Sequence, residues 1–184
     1  TTEIYTLSLH DALPISHPHF SEKIVPAIGY LTVPVLELPS GDFIADSTEI
    51  IEYLEGQHPA NPMIPADKTM AALAWLIHSY GSEGLHKPAM HYRWNTTQEN
   101  RQFIINDFER SFELREKRKT AEKTLGSEFA DSMKAYVPAL GITPTTVEAV
   151  ERSTRKLYHL LNAHFLNFPY VLGGHPSIAD FGLM

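Results

Sequence analysis

The hydrophobic pattern of this chain changes period once, and the change falls at a proline-rich break. Residues 58–67 read HPANPMIPAD. Before them, apolar residues come in short runs divided by turn residues; after them, they recur only at helical spacing. Each proline fixes φ and removes a backbone donor, so neither a helix nor a central strand continues through such a segment. The break is read as a linker (58–67) between a small α+β part (17–57) and an all-helical part (68–184).

The α+β part is short. Residues 17–31 carry Pro18, Pro26 and Gly29 and read as a loop with at most a short helix. Thr32–Leu38 is an apolar strand, Pro39-Ser40-Gly41-Asp42 a turn, and Asp42–Ala45 a second strand, which together make a β-hairpin. Asp46-Ser47-Thr48-Glu49 opens a helix with an acidic cap and a glutamate three positions on. Ile50, Ile51 and Leu54 form its apolar face, and it ends near Gln57. A lone hairpin with one helix is a poor domain; the segment looks like the second half of a larger one.

Beyond the linker, Met70, Leu73, Ala74 and Ile77 mark a helix that Gly81 and Gly84 weaken or kink. Phe103, Phe108, Phe112 and Leu114 mark another over roughly 97–125, with Arg115–Lys119 as a solvated face. Residues 128–137 suit a short helix, and Gly141 and Pro144 break it. Thr145 with Glu148 forms a capping-box pair. Val147, Val150, Thr154, Leu157 and Leu161 then repeat at spacings of three and four, a strong amphipathic helix. Phe168-Pro169 ends it, and Ser177-Ile178-Ala179-Asp180 opens one more.

The opening sixteen residues, TTEIYTLSLHDALPIS, stand apart. Residues 3–10 alternate like a strand, but no signal-peptide pattern is present. Read back to codons, Thr1–Ile15 resembles an in-frame sequencing-library adapter, with its last base starting codon 16. Residues 1–16 are therefore set aside from functional reasoning, with the expectation that the natural N-terminus is missing.

Composition narrows the function. The net charge is −7, and Glu3 and Asp11 contribute two of those charges. An acidic chain is a poor match for nucleic acid or an anionic membrane. The sequence has no run of eighteen apolar residues, so no membrane span is expected. It has no cysteine, which excludes disulfides, thiolate metal sites and a cysteine nucleophile within it. The expected location is cytoplasmic. Asn95-Thr96-Thr97 matches a glycosylation acceptor but reads as a polar turn. His86 with His91, or His17 with His19, lack a carboxylate or cysteine at supporting spacing, so no metal is expected. Asp180-Phe181-Gly182 imitates a kinase metal-binding triplet without the accompanying loops.

The chemistry concentrates in VPVLELPSGDFIADSTEIIEYLE. X-Pro is the one peptide bond that readily turns cis. A cis Val33–Pro34 bond would aim the Val33 N–H and C=O outward, ready to pair with a peptide-like ligand; the alternative is a trans proline at a plain strand start. At Asp46-Ser47, a helix N-terminus suits a carboxylate. Ser47 can supply N–H and hydroxyl to it, while Asp46 can pair with an ammonium, so the two together suit an α-amino acid. The alternative is that both only cap the helix.

A strand-start proline, a short hairpin and an acid-serine helix start, in that order, resemble the second half of the thioredoxin-like domain of the glutathione transferases. The resemblance implies that Val33, before Pro34, pairs with the cysteinyl part of glutathione, and that Asp46 and Ser47 hold its γ-glutamyl end. Leu172–Asp180, LGGHPSIAD, resembles the capping box of that family's helical domain, where Ser177 and Asp180 have a structural role. His91-Tyr92-Arg93-Trp94 falls where family members line the pocket for the electrophile, which makes His91, Tyr92 and Trp94 substrate-pocket candidates; core packing by Tyr92 and Trp94 is the alternative.

The fold so implied is α+β/α, an incomplete thioredoxin-like domain followed by an all-helical domain. The resemblance further implies glutathione as co-substrate, attack of its thiolate on a small electrophile, and a homodimer in the intact parent. The thiol-activating Ser, Tyr or Cys of relatives follows a first strand that this sequence lacks. The catalytic residue is thus unknown, Ser16 is not taken for it, and little conjugating activity is expected from the chain as written. A non-catalytic binding or assembly module on the same fold is the alternative, and a glutathione-dependent isomerase or dehalogenase is a third reading.

Overall fold

Proline and glycine positions set where each element starts and stops. The computed structural model describes residues 18–112 and 124–183; the expected strand at 3–10 and the charge cluster Arg115–Lys119 lie outside them. The chain divides into two compact units, one of residues up to Leu54 with Ile104–Glu128, the other of Glu55–Phe103 with the residues from Phe129 on.

In the first unit, a π turn (Phe20–Ile24) runs into helix α1 (Val25–Ile28), where the sequence pattern suggests a loop with at most a short helix. Pro26 sits in the first turn of α1, where its missing N–H costs nothing. The Val25 N–H reaches back to the Phe20 carbonyl, and Gly29, at φ 85°, ends the helix in the left-handed region. Phe20 and Ile24 are buried. His19 and Lys23 from the same turn both bond the Glu37 carboxylate on strand β1, which ties the helix to the sheet.

Strand β1 (Val35–Glu37) pairs antiparallel with β2 (Phe43–Ala45), with Val35 opposite Ala45, Leu36 opposite Ile44 and Glu37 opposite Phe43. Both strands are shorter than the apolar runs that predict them. The Leu38 N–H donates to the Asp42 carbonyl and the Gly41 N–H to the Leu38 carbonyl, each at 2.8 Å, and Gly41 takes φ 89°. Helix α2 (Ser47–Gln57) follows at once.

Helix α5 (Gln98–Phe112) and helix α6 (Leu125–Tyr136) lie further along the chain. The Gly126 N–H donates to the Glu109 carboxylate. A Cβ at Gly126 would fall 2.9 Å from the Ile105 carbonyl oxygen, so glycine permits this close approach.

In the second unit the linker is fastened rather than loose. The Glu55 carboxylate accepts from the N–H groups of Met63 (2.8 Å) and Ile64 (3.2 Å). The Met63 carbonyl accepts from the N–H of Ile178, 3.0 Å away. Helix α3 (Lys68–Ser79) is capped by Asp67, whose side chain accepts from the Met70 N–H. The bend expected from Gly81 and Gly84 takes the form of a π turn (Tyr80–Gly84) before helix α4 (His86–Trp94).

Helix α8 (Ile178–Gly182) packs on α3, with Ile178 and Ala179 fully buried. Gly182 is required at the crossing: a Cβ there would lie 2.5 Å from the His78 Cα, and one at Gly81 would overlap the Gly182 carbonyl. Ser177 and Asp180 form the reciprocal capping box. The Asp180 carboxylate accepts from the Ser177 N–H (2.8 Å), the Ser177 hydroxyl (3.1 Å) and the Val171 N–H (2.8 Å).

A 3-10 turn (Val137–Leu140) ends at Gly141, φ 79°, and helix α7 (Val147–Phe165) follows. The expected Thr145–Glu148 box does not form. Thr146 is the cap residue, and its hydroxyl turns back to the Gly141 carbonyl and accepts from the Thr143 N–H, closing the preceding loop instead. Glu148 pairs with Arg152 one turn on. Among the described residues, no helix is long and apolar enough to cross a membrane.

Candidate functional site

The Val33–Pro34 peptide bond is cis. Val33 is 58% exposed, and among the described residues no hydrogen bond engages its N–H or C=O. The Pro34 carbonyl points the other way and accepts from the Asp46 N–H at 3.3 Å. That bond sets the start of α2 directly beside the Val33–Pro34 turn, so these four candidate residues come together.

Asp46 adopts φ 82°, the left-handed region that Asp and Asn tolerate better than most residues. Its carboxylate accepts from the Thr48 N–H at 2.8 Å through one oxygen, and its carbonyl accepts from the Ile50 N–H. Asp46 is therefore the helix cap, and its exposed carboxylate also faces solvent. Among the described residues, the N–H groups of Ser47 and Glu49 and the Ser47 hydroxyl find no intrachain partner. Free donors at the positive end of an eleven-residue helix, next to one carboxylate and one unpaired peptide unit, can receive a zwitterionic, peptide-like ligand. In the same unit, the Lys23 ammonium, with His19, holds the Glu37 carboxyl below its ordinary value.

The three pocket candidates on α4 go to three environments, since neighbouring residues on a helix point about 100° apart. Tyr92, 46% exposed, lines a largely apolar cleft of about 470 Å³ with Leu85, Leu157, Tyr158 and Leu183; Ser82 and His86 supply polar edges. Trp94 is 3% exposed and belongs to the core. His91 is buried between Asn95 and Glu151: its Nε2 lies 3.1 Å from a Glu151 oxygen and its Nδ1 3.1 Å from the Asn95 side-chain nitrogen. His91 and then Arg155 hold the Glu151 carboxyl below its ordinary value. Ser177 and Asp180 sit at the buried end of α8, where they serve the fold. Among the described residues, no three His, Asp or Glu side chains converge on a metal site.

Sequence reasoning missed Thr48, Glu55, Glu151 and Tyr158. The Glu151–Arg155 spacing was visible on one helix, but nothing local indicates that Glu151 meets His91 across sixty residues.

The hairpin flanked by helices is an incomplete thioredoxin-like domain, and a largely helical region follows it. Residues 7–62 match the family model described as glutathione S-transferase, N-terminal domain. That match and the mostly helical remainder fit a glutathione S-transferase family protein. No curated protein and no solved structure matches it.

Proposed function

We propose that this chain carries the glutathione site of a glutathione transferase that joins the glutathione thiolate to a small electrophile. The Val33 N–H and C=O pair with the cysteinyl residue. Asp46 takes the α-ammonium of the γ-glutamyl end, and the Ser47 N–H and hydroxyl take its α-carboxylate. Residues 17–57 form the glutathione-binding part, 58–67 the linker and 68–184 the helical domain, whose Tyr92 faces the electrophile. The parent works in the cytoplasm as a homodimer. The observation that carries this reading is the Asp46 N–H···O=C Pro34 bond, because it puts an unpaired peptide unit, a carboxylate and free helix donors side by side.

Calorimetric titration with glutathione tests it, together with a thiol-conjugation assay on the intact parent. Binding that weakens about tenfold or more in Asp46→Asn fits the loss of a charge-assisted hydrogen bond; unchanged binding would remove Asp46 from the site. A glutathione transferase-like binding module without chemistry is the second reading. It is favoured by the Thr48 N–H already bonded to Asp46, which is all a simple cap requires. Glutathione binding without turnover in the intact parent would select it.

A further inference from the structure

A second cavity, of about 430 Å³, lies in the helical unit between α4, the 3-10 turn and the start of α7. Its size falls in the range of small-molecule sites. Val137, Pro138, Ile142, Pro144 and Val147 wall it. Val137 and Ile142 are almost wholly buried, so that wall is fixed by packing. His91 also lines it, but both of its ring nitrogens are committed, to Asn95 and Glu151, and it contributes a held ring rather than a free donor.

The charged group on the lining is Lys134 of α6. A second lysine, Lys87 of α4, reaches the same loop: its Nζ lies 4.0 Å from where a Cβ on Gly141 would stand. Among the described residues, neither lysine has a carboxylate partner. In a chain of net charge −7, two unpaired cations beside an apolar cavity make a local positive field. Glu151, which bonds the lining His91, is also bonded by Arg155.

We propose that this cavity binds a small monocarboxylate with an apolar body, the carboxylate at Lys134 and the body against Pro138, Pro144 and Val147. The site belongs to the helical unit alone and does not depend on the glutathione reading. 4-Phenylbutyrate is the probe, titrated into the isotopically labelled full chain and followed by backbone amide shifts. Saturable shifts at Lys134, Thr143 and Val147 are expected, with a dissociation constant of about 1 mM. Lys134→Gln, an exposed position, should weaken binding about three- to fivefold, the worth of one solvent-exposed ion pair. The neutral amide of the same acid should weaken to the same degree and be indifferent to that substitution. Three results would each overturn the proposal: no saturable shifts, equal affinity for acid and amide, or shifts confined to Tyr92 and Tyr158 in the other cleft.

Discussion

Asp180 is where a single side chain holds most of a helix start. Its two carboxylate oxygens have separate duties: one accepts the Val171 N–H, the other the N–H and hydroxyl of Ser177. Asp180→Ala therefore removes the answering half of a capping box, worth about 1 kcal/mol. It also leaves the part-buried Val171 N–H unpaired, at about 1–3 kcal/mol. Solvent reaches part of this site, so a total of about 3 kcal/mol is expected. At about 2–4 °C per kcal/mol for a chain of this size, the melting temperature should fall by about 6–12 °C. Asp180→Asn is the sharper test. An amide supplies one acceptor and turns an NH2 group toward a donor, so it should be nearly as harmful as alanine. Ser177→Ala loses only the hydroxyl and should cost about 0.5–1 kcal/mol. Thermal unfolding of the three variants by circular dichroism gives the order. If Asp180→Asn melts like the parent, the two-oxygen account of this helix start is wrong.

Other outcomes follow from the same geometry. Gly182→Ala would put a methyl group against the His78 backbone, as Gly81→Ala would against the Gly182 carbonyl; each should cost more than about 3 kcal/mol and lower the yield of folded protein, read by denaturant unfolding. Asp46→Ala loses the cap and places a less tolerant residue at φ 82°, at about 2 kcal/mol, whereas Asp46→Asn keeps the cap and should stay within about 0.5 kcal/mol in chemical denaturation. The Glu151 carboxyl is held below its ordinary 4.5 in the folded chain by His91 and Arg155. Its contribution to stability is complete above about 4.5 and is lost as pH falls through the lower folded value. Glu151→Gln should accordingly flatten the acid side of a stability-against-pH curve, and an unchanged slope there would contradict the pairing.

Local signals carried most of the architecture. Turn chemistry at Pro39–Gly41, the three-and-four spacing along α7 and the Ser177–Asp180 box each depend on residues close in sequence, so a reader of the chain can find them. The short helix allowed at 17–31 forms as α1 with Pro26 in its first turn, and the π turn ahead of it has no local signal in the sequence. Thr146 displaced Thr145 as the cap of α7 because its hydroxyl closes the loop from Gly141, a choice fixed by the αL turn there. The left-handed conformation of Asp46 and its bond to Pro34 are properties of the folded hairpin. On α4, the tetrapeptide His91–Trp94 looked like one pocket wall, yet helical rotation distributes it among a hydrogen bond to Glu151, a cleft and the core. Glu55 and Glu151 act at long range, on the linker and on α4, and no spacing within their own helices announces it.

The central claim is that glutathione docks on the Val33–Pro34 turn and the start of α2. Backbone amide shifts during titration with reduced glutathione test it most directly. The account predicts saturable shifts at Val33, Asp46 and Ser47, weakened about tenfold or more by Asp46→Asn while the melting temperature stays near that of the parent. Shifts that never saturate, or that leave those three residues unmoved, would contradict it.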